Sequence, residues 1–320
     1  MNNLFLSGRL SALLVLLTIF FVGCKSDPKK QEASEAEASE PEREVIEVVT
    51  RSMEFFAPDT INSGWNTFVY KNLSTEPHFI LLDKYPEGIT IENTIAEVAP
   101  AFEEGMAMIM EGKMEEAMAA FGKLPEWFGQ VVFSGGTGLI SPRETAISTL
   151  NLAPGYYIME CYVRMPDGRF HTSMGMAKEF IIRSEDSGNK PPEANVSITI
   201  SSEDGINYSG NMTKGTTIFS VTYEDQIVHE NFVGHDVNLV RMEEGADLDA
   251  LEAWINWASP TGLMSSKLPE GFTFLGGTND APAGSVQYFE ADLSPGTYAF
   301  ISEVPGSKAK GMLKTFSISD

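Results

Sequence analysis

Apolar residues along this chain come in short bursts. Runs rich in aromatic and β-branched residues at 67–70, 79–82, 146–150, 156–163 and 179–183 are bounded by Gly, Pro and Asn, and each predicts a β-strand. A second set follows at 196–200, 217–223, 236–240, 286–291, 297–301 and 313–318. Two stretches interrupt the strands with helical inserts, a long one at 91–122 and a shorter one at 248–257. Short strands at regular spacing, closed by a Pro-Gly turn and a last strand, predict an all-β fold of Greek-key sandwiches.

The bursts repeat. HFILLDKYPEG (78–88) aligns without a gap with HDVNLVRMEEG (235–245). FSGGTGLISPRETAISTLNLAPGYYIME (133–160) aligns with FLGGTNDAPAGSVQYFEADLSPGTYAFI (274–301), and GMAKEFII (175–182) with GMLKTFSI (311–318). Three matched blocks in one order predict two copies of one domain, 46–183 and 196–320. The polar stretch 184–195, with Pro191-Pro192, reads as the linker between them.

Candidate chemistry gathers in PGYYIMECYVRMPDGRFHTSMGM (154–176), which holds Cys161, His171, Met174 and Met176. Taken singly, each has a plainer reading. A lone buried cysteine is a small hydrophobe, a buried methionine is core, and His78 and His171 are a strand-end and a loop histidine. Their order along the chain is more specific. A strand carrying Asn72 leads to His78; a Pro-Gly-x-Tyr strand ends in Cys161; His171, Gly175-Met176 and a final strand follow. This order resembles the cupredoxin family, the blue-copper sandwiches, over each of the two copies. The resemblance implies one copper ion in the first copy, held by His78, Cys161 and His171 with Met176 as a weak axial thioether and Met174 as the alternative. It also implies electron passage through an exposed ligand edge on the His171 side. One departure stands out: nine residues separate Cys161 from His171, more than in most small members of the family. Such a loop either alters the site's geometry or marks a remnant that holds no metal.

The second copy departs further. His235 stands where His78 does and Met312 where Met176 does, but Ser302 replaces Cys161 and Ser307 replaces His171. Serine is a poor soft ligand, so this copy should lack a blue site. His229, six residues before His235, offers a weak imidazole pair with it. In the first copy's insert, Met106, Met110, Met114 and Met118 recur every four residues with Met108 between them. That stripe reads as a flexible apolar face or as a soft Cu(I) acceptor patch.

The address and the charge narrow the role. An apolar run at 10–22 behind Arg9 predicts a signal peptide (1–23). It ends in Phe21-Val22-Gly23-Cys24, which resembles a bacterial lipobox and implies lipidation at Cys24. Residues 24–45, rich in Glu, Ser and Lys, read as a disordered acidic tether. Lipidation makes the membrane a partner and the cell envelope the expected location, with Lys25 after Cys24 favouring the outer membrane. A net charge of −23 disfavours nucleic acid and suits a basic redox partner protein. The chain has four histidines and no His-x-His pair. A multicopper oxidase or a copper nitrite reductase needs more, so no independent catalysis and no small-molecule substrate are expected. The leading expectation is a lipid-anchored copper-binding protein for single-electron transfer or copper handling. The alternative is a metal-free tandem β-sandwich scaffold.

Overall fold

The structure is a computed structural model that describes residues 45–320. The expected signal peptide, Cys24 and nearly all of the tether lie outside the described residues; Val45, assigned to the tether, opens the first strand. Residues 45–320 belong to one compact body.

The first half comprises β1 (Val45–Thr50), β2 (Phe55–Phe56), β3 (Thr60–Asn72), β4 (His78–Lys84), three helices α1 (Ile91–Asn93), α2 (Ala99–Met110) and α3 (Met114–Phe121), then β5 (Val132–Ile140), β6 (Thr145–Leu152), β7 (Gly155–Glu160) and β8 (Ala177–Asp186). The second comprises β9 (Val196–Ser201), β10 (Gly205–Gly210), β11 (Gly215–Tyr223), β12 (Val237–Met242), α4 (Leu248–Ile255), β13 (Phe272–Thr278), β14 (Val286–Leu293), β15 (Gly296–Ile301) and β16 (Leu313–Ile318). The fold is all-β, as the strand bursts predict.

Strand pairing runs in parallel through the two halves. β1 lies parallel to β3, β3 antiparallel to β6, β4 between β5 and β7, and β8 beside β7. β9 with β11, β11 with β14, β12 between β13 and β15, and β16 beside β15 follow the same plan. Leu81 faces Glu160 as Asn238 faces Ile301, which keeps HFILLD in step with HDVNLV. The halves are joined by strands: β6 pairs with β14 in one sheet and β5 with β13 in the other. The repeated Gly-Gly serves the pairing inside each half. A Cβ on Gly136 would sit 1.8 Å from the Ile80 carbonyl oxygen, and one on Gly277 would sit 2.0 Å from that of Val237. Only glycine lets β5 and β13 lie so close to β4 and β12.

The structure corrects several boundaries. β8 runs on to Asp186 and takes the first residues of the expected linker. The strand expected at 156–163 stops at Glu160, which leaves Cys161 at its exit. The helix expected at 248–257 ends at Ile255. The insert at 91–122 is several pieces. Gly112, at φ 75°, ends α2, and α3 folds back so that Phe121 packs on Gly105. The methionine stripe is therefore split. Met106 is buried in the core, whereas Met110, Met114 and Met118 are exposed.

Two apolar clusters fill the sandwich. The larger joins β3, β4, β6 and β7 to α2, α3, α4 and Trp257, and includes Cys161 and Met176. The smaller lies among β9, β11, β12, β14 and β15 and includes Met312.

Candidate metal centre

His78 opens β4 because the preceding loop is clamped. Asn72, fully buried, donates from Nδ2 to the Glu76 carbonyl (2.7 Å). Its Oδ1 accepts from the Ser74 N–H (3.0 Å) and hydroxyl (2.6 Å). Cys161 is the first residue beyond β7. A tight turn, Thr172–Met174, carries the chain from His171 back to Met176, with Gly175 at φ 101° supplying the left-handed residue. The two ends of the long Cys–His loop are tied together. The Cys161 N–H donates to the Met176 carbonyl (3.3 Å), the Met176 N–H to the His171 carbonyl (3.0 Å) and the His171 N–H to the Val163 carbonyl (2.8 Å). The Thr172 hydroxyl donates to the Cys161 carbonyl (2.9 Å).

These ties bring three side chains to one point. Cys161 Sγ lies 3.7 Å from His78 Nδ1 and 3.8 Å from His171 Nδ1, and the two Nδ1 atoms are 3.1 Å apart. The centre of that triangle is about 2.1 Å from each corner, the reach of a transition metal to imidazole nitrogen and slightly short of its reach to thiolate. Two imidazole lone pairs this close need a shared proton or a shared cation between them. Among the described residues this is the one trio of His, Cys, Asp or Glu whose ligand atoms converge so tightly. The donor set, two imidazoles and a thiolate, fits copper.

Burial tunes the three groups. Desolvation first, and then the neighbouring His171, hold the His78 imidazole down at about 3. Desolvation holds that of His171 at about 4. Both are neutral ligands near pH 7. Burial pushes the Cys161 thiol up to about 12, while the backbone N–H groups of Phe79 and Val163 pull it down. A metal must therefore displace the thiol proton. Glu76 Oε2 lies 3.2 Å from His171 Nε2, close but out of line for a hydrogen bond, and His78 Nε2 has no partner.

The remaining expectations divide. Met176 is fully buried in the same cluster as Cys161, whereas Met174 is 38% exposed on the turn. The exposed His171 edge is not found, since His171 is fully buried. Its Nε2 faces Glu76, whose side chain is 28% exposed.

One residue that the sequence did not single out explains the long loop. Arg164, fully buried, donates from Nη1 to the carbonyls of Trp257 (2.8 Å), Ser259 (2.7 Å) and Gly262 (3.0 Å) in the second half. Its backbone N–H donates to the Leu263 carbonyl (2.8 Å) and its own carbonyl accepts from the Ser265 N–H (2.8 Å). Burial lowers the guanidinium to about 10, so it stays charged, balanced by carbonyl dipoles. The loop is thus stitched to the second half.

In that half the same backbone bonds recur. The Ser302 N–H donates to the Met312 carbonyl (3.0 Å) and the Met312 N–H to the Ser307 carbonyl (2.6 Å). The side chains differ. The Ser302 hydroxyl donates to Asp236 Oδ1 (2.7 Å), and His235 pairs through Nε2 with His229 Nε2 (2.8 Å). The expected His229–His235 pair is present, with the other His235 nitrogen 3.1 Å from the Asp225 carbonyl.

No protein-family model matches this chain, and no curated protein matches it. Solved structures do. A dithionite-reduced auracyanin from Roseiflexus castenholzii is 20% identical at a TM-score of 0.26, covering 43% of this chain and 94% of its own. Auracyanin A, a blue copper protein from Chloroflexus aurantiacus, is 20% identical at 0.27, covering 44% and 99%. A Cu-containing nitrite reductase from Thermus scotoductus is 9% identical at 0.20; the match covers 87% of this chain but only 61% of that one.

Proposed function

We propose that this chain is a copper-binding protein with one type 1-like centre in its first half, formed by His78, Cys161 and His171 with Met176 axial. Its role is single-electron transfer or copper handling at the lipid-anchored envelope face that Cys24 implies. The observation that carries this reading is the buried triangle of two Nδ1 atoms and one Sγ, with sides of 3.1, 3.7 and 3.8 Å. Bound copper would supply reversible one-electron chemistry. The chain's own residues do the rest. Asn72 fixes the loop that delivers His78, and the turn after His171 holds Met176 against Cys161. The Phe79 and Val163 amides face the sulfur and favour its thiolate. Complete burial of both imidazoles excludes water, which limits reorganisation when charge changes. The acidic surface would steer a basic partner protein in a salt-dependent way. No catalytic step is assigned to the chain, and the second half, with Ser302 and Ser307, serves as a support for the centre.

Cu(II) titration of the full metal-free chain is the test. One equivalent should produce an intense visible thiolate-to-copper band. Tight Cu(I) binding without that band would assign copper handling in place of electron transfer. No uptake of either ion would leave a metal-free scaffold.

A further inference from the structure

Beside the triangle, and separate from it, lies a cavity of about 450 Å³ beneath the helical insert. Its size is that of a small-molecule site. Four acidic residues line it: the exposed Glu103 from α2, and the buried or half-buried Asp83 from β4, Glu160 from β7 and Asp280 just after β13. Asp83 and Asp280 are only 4% and 5% exposed. Asp83 hydrogen-bonds Glu160, and Asp280 accepts from the Gly234 N–H (3.0 Å). Asp83 Oδ1 accepts from no N–H or hydroxyl group. No Lys, Arg or His lines the cavity. The walls are instead aromatic, with Phe102, Phe133, Tyr162, Phe232 and Trp257 contributed by both halves.

Buried carboxylates are costly unless a cation or a hydrogen-bond network pairs them. Here the chain supplies no cation, and the Asp83–Glu160 pair can form its hydrogen bond only by holding a proton. Aromatic faces are the other surface that attracts a cation, through the ring quadrupole. A metal ion is a poor fit, because the acids do not converge as His78, Cys161 and His171 do. We propose that this cavity binds a small organic ammonium ion with an apolar body, its charged head set at Asp83 and its body against the aromatic walls. Desolvation and like-charge neighbours push the Asp83 and Asp280 carboxyls well up, the penalty that a bound cation would relieve. The site needs no copper, so its test is independent of the metal centre.

The metal-free full chain is titrated calorimetrically at pH 8 with benzyltrimethylammonium and with the near-isosteric neutral alcohol 2-methyl-1-phenylpropan-2-ol. The cation should bind at least tenfold more tightly. Asp83→Asn should bring the two affinities within about twofold while melting no lower than the parent, because the amide can keep donating to Glu160 as the Asp83 carboxyl does. If that variant does not fold, Asp280→Asn carries the same comparison. Equal affinity for the two probes, no binding of the cation, or a cation preference that survives both substitutions would overturn the proposal.

Discussion

Ser302 and Ser307 sit in the same backbone hydrogen-bond frame as Cys161 and His171, yet among the described residues only the first half brings two imidazoles and a thiol to one point. In both halves a strand-exit residue bonds the carbonyl of a buried methionine, and that methionine bonds back to the second ligand position. The frame is thus common property, and the side chains decide its use. In the first half, two Nδ1 atoms and a sulfur face one point with few competing partners. In the second, Asp236 takes the Ser302 hydroxyl, while His229 and the Asp225 carbonyl occupy both nitrogens of His235. With serines in the frame, the second half holds a network of ordinary hydrogen bonds.

The sharpest way to break this contrast is to make the first half resemble the second. Cys161→Ser should abolish the visible copper band and weaken Cu(II) binding by more than about 100-fold, beyond the loss of an outer partner. Absorption spectroscopy checks the band and competition with a chelator checks the affinity. A band that persisted would move the site elsewhere.

Arg164 tests whether the second half supports the first. Arg164→Ala leaves the Trp257, Ser259 and Gly262 carbonyls without their donor. The loss should be about 3 kcal/mol, or roughly 5–10 °C in melting temperature. The Cys161–His171 loop should loosen with it and copper affinity should fall. Arg241→Ala, an exposed arginine of the second half, should change neither. If the two variants behaved alike, the stitching would carry no weight.

Asn72→Ala should act more gently. It removes the clamp on the loop before His78 and should cost about 10–100-fold in copper affinity, as outer-shell partners do. The band itself should survive at saturating copper, because all the proposed ligands remain. Loss of the band at saturation would make Asn72 part of the centre's first contacts.

How much of this was legible in the sequence depends on rarity and range. Cys161, His78 and His171 could be picked out because the chain has few cysteines and histidines, and the repeat supplied a second copy to set against them. β4, β7 and β8 announced themselves through apolar, β-branched and aromatic runs. β5 and β13 did not, because their Gly-Gly reads as a break, while its real purpose is close approach to Ile80 and Val237. Arg164 was invisible for another reason. Its partners lie some 95 residues away, and no local pattern encodes a guanidinium that satisfies remote carbonyls. The helical insert misled through its methionine spacing, since Gly112 outweighed the period-four repeat. The burial of His171 was likewise a tertiary outcome.

The smallest expected effect concerns acid. His78 and His171 are held near 3 and 4 by burial, against about 6.5 for an unfolded imidazole. Below pH 6.5 the unfolded chain therefore binds more protons at these positions than the folded one. The stability they contribute is full above that pH and drains away as pH falls towards 4 and then 3. The buried carboxyls Asp83 and Asp280 run the opposite way, since their raised values favour the folded state on acidification. His235 is also lowered, chiefly by burial, but its Asp225 contacts act against that shift. Acid should thus weaken the first half's imidazole pair more than the second's. Metal-free His78→Gln and His235→Gln variants isolate the two terms. Between pH 7 and 4.5 the melting temperature of His78→Gln should decline less steeply than that of the parent, and His235→Gln should follow the parent more closely. Identical slopes for the two variants would mean that the imidazoles in the two halves are equally protected, and the contrast would then rest on the thiolate alone.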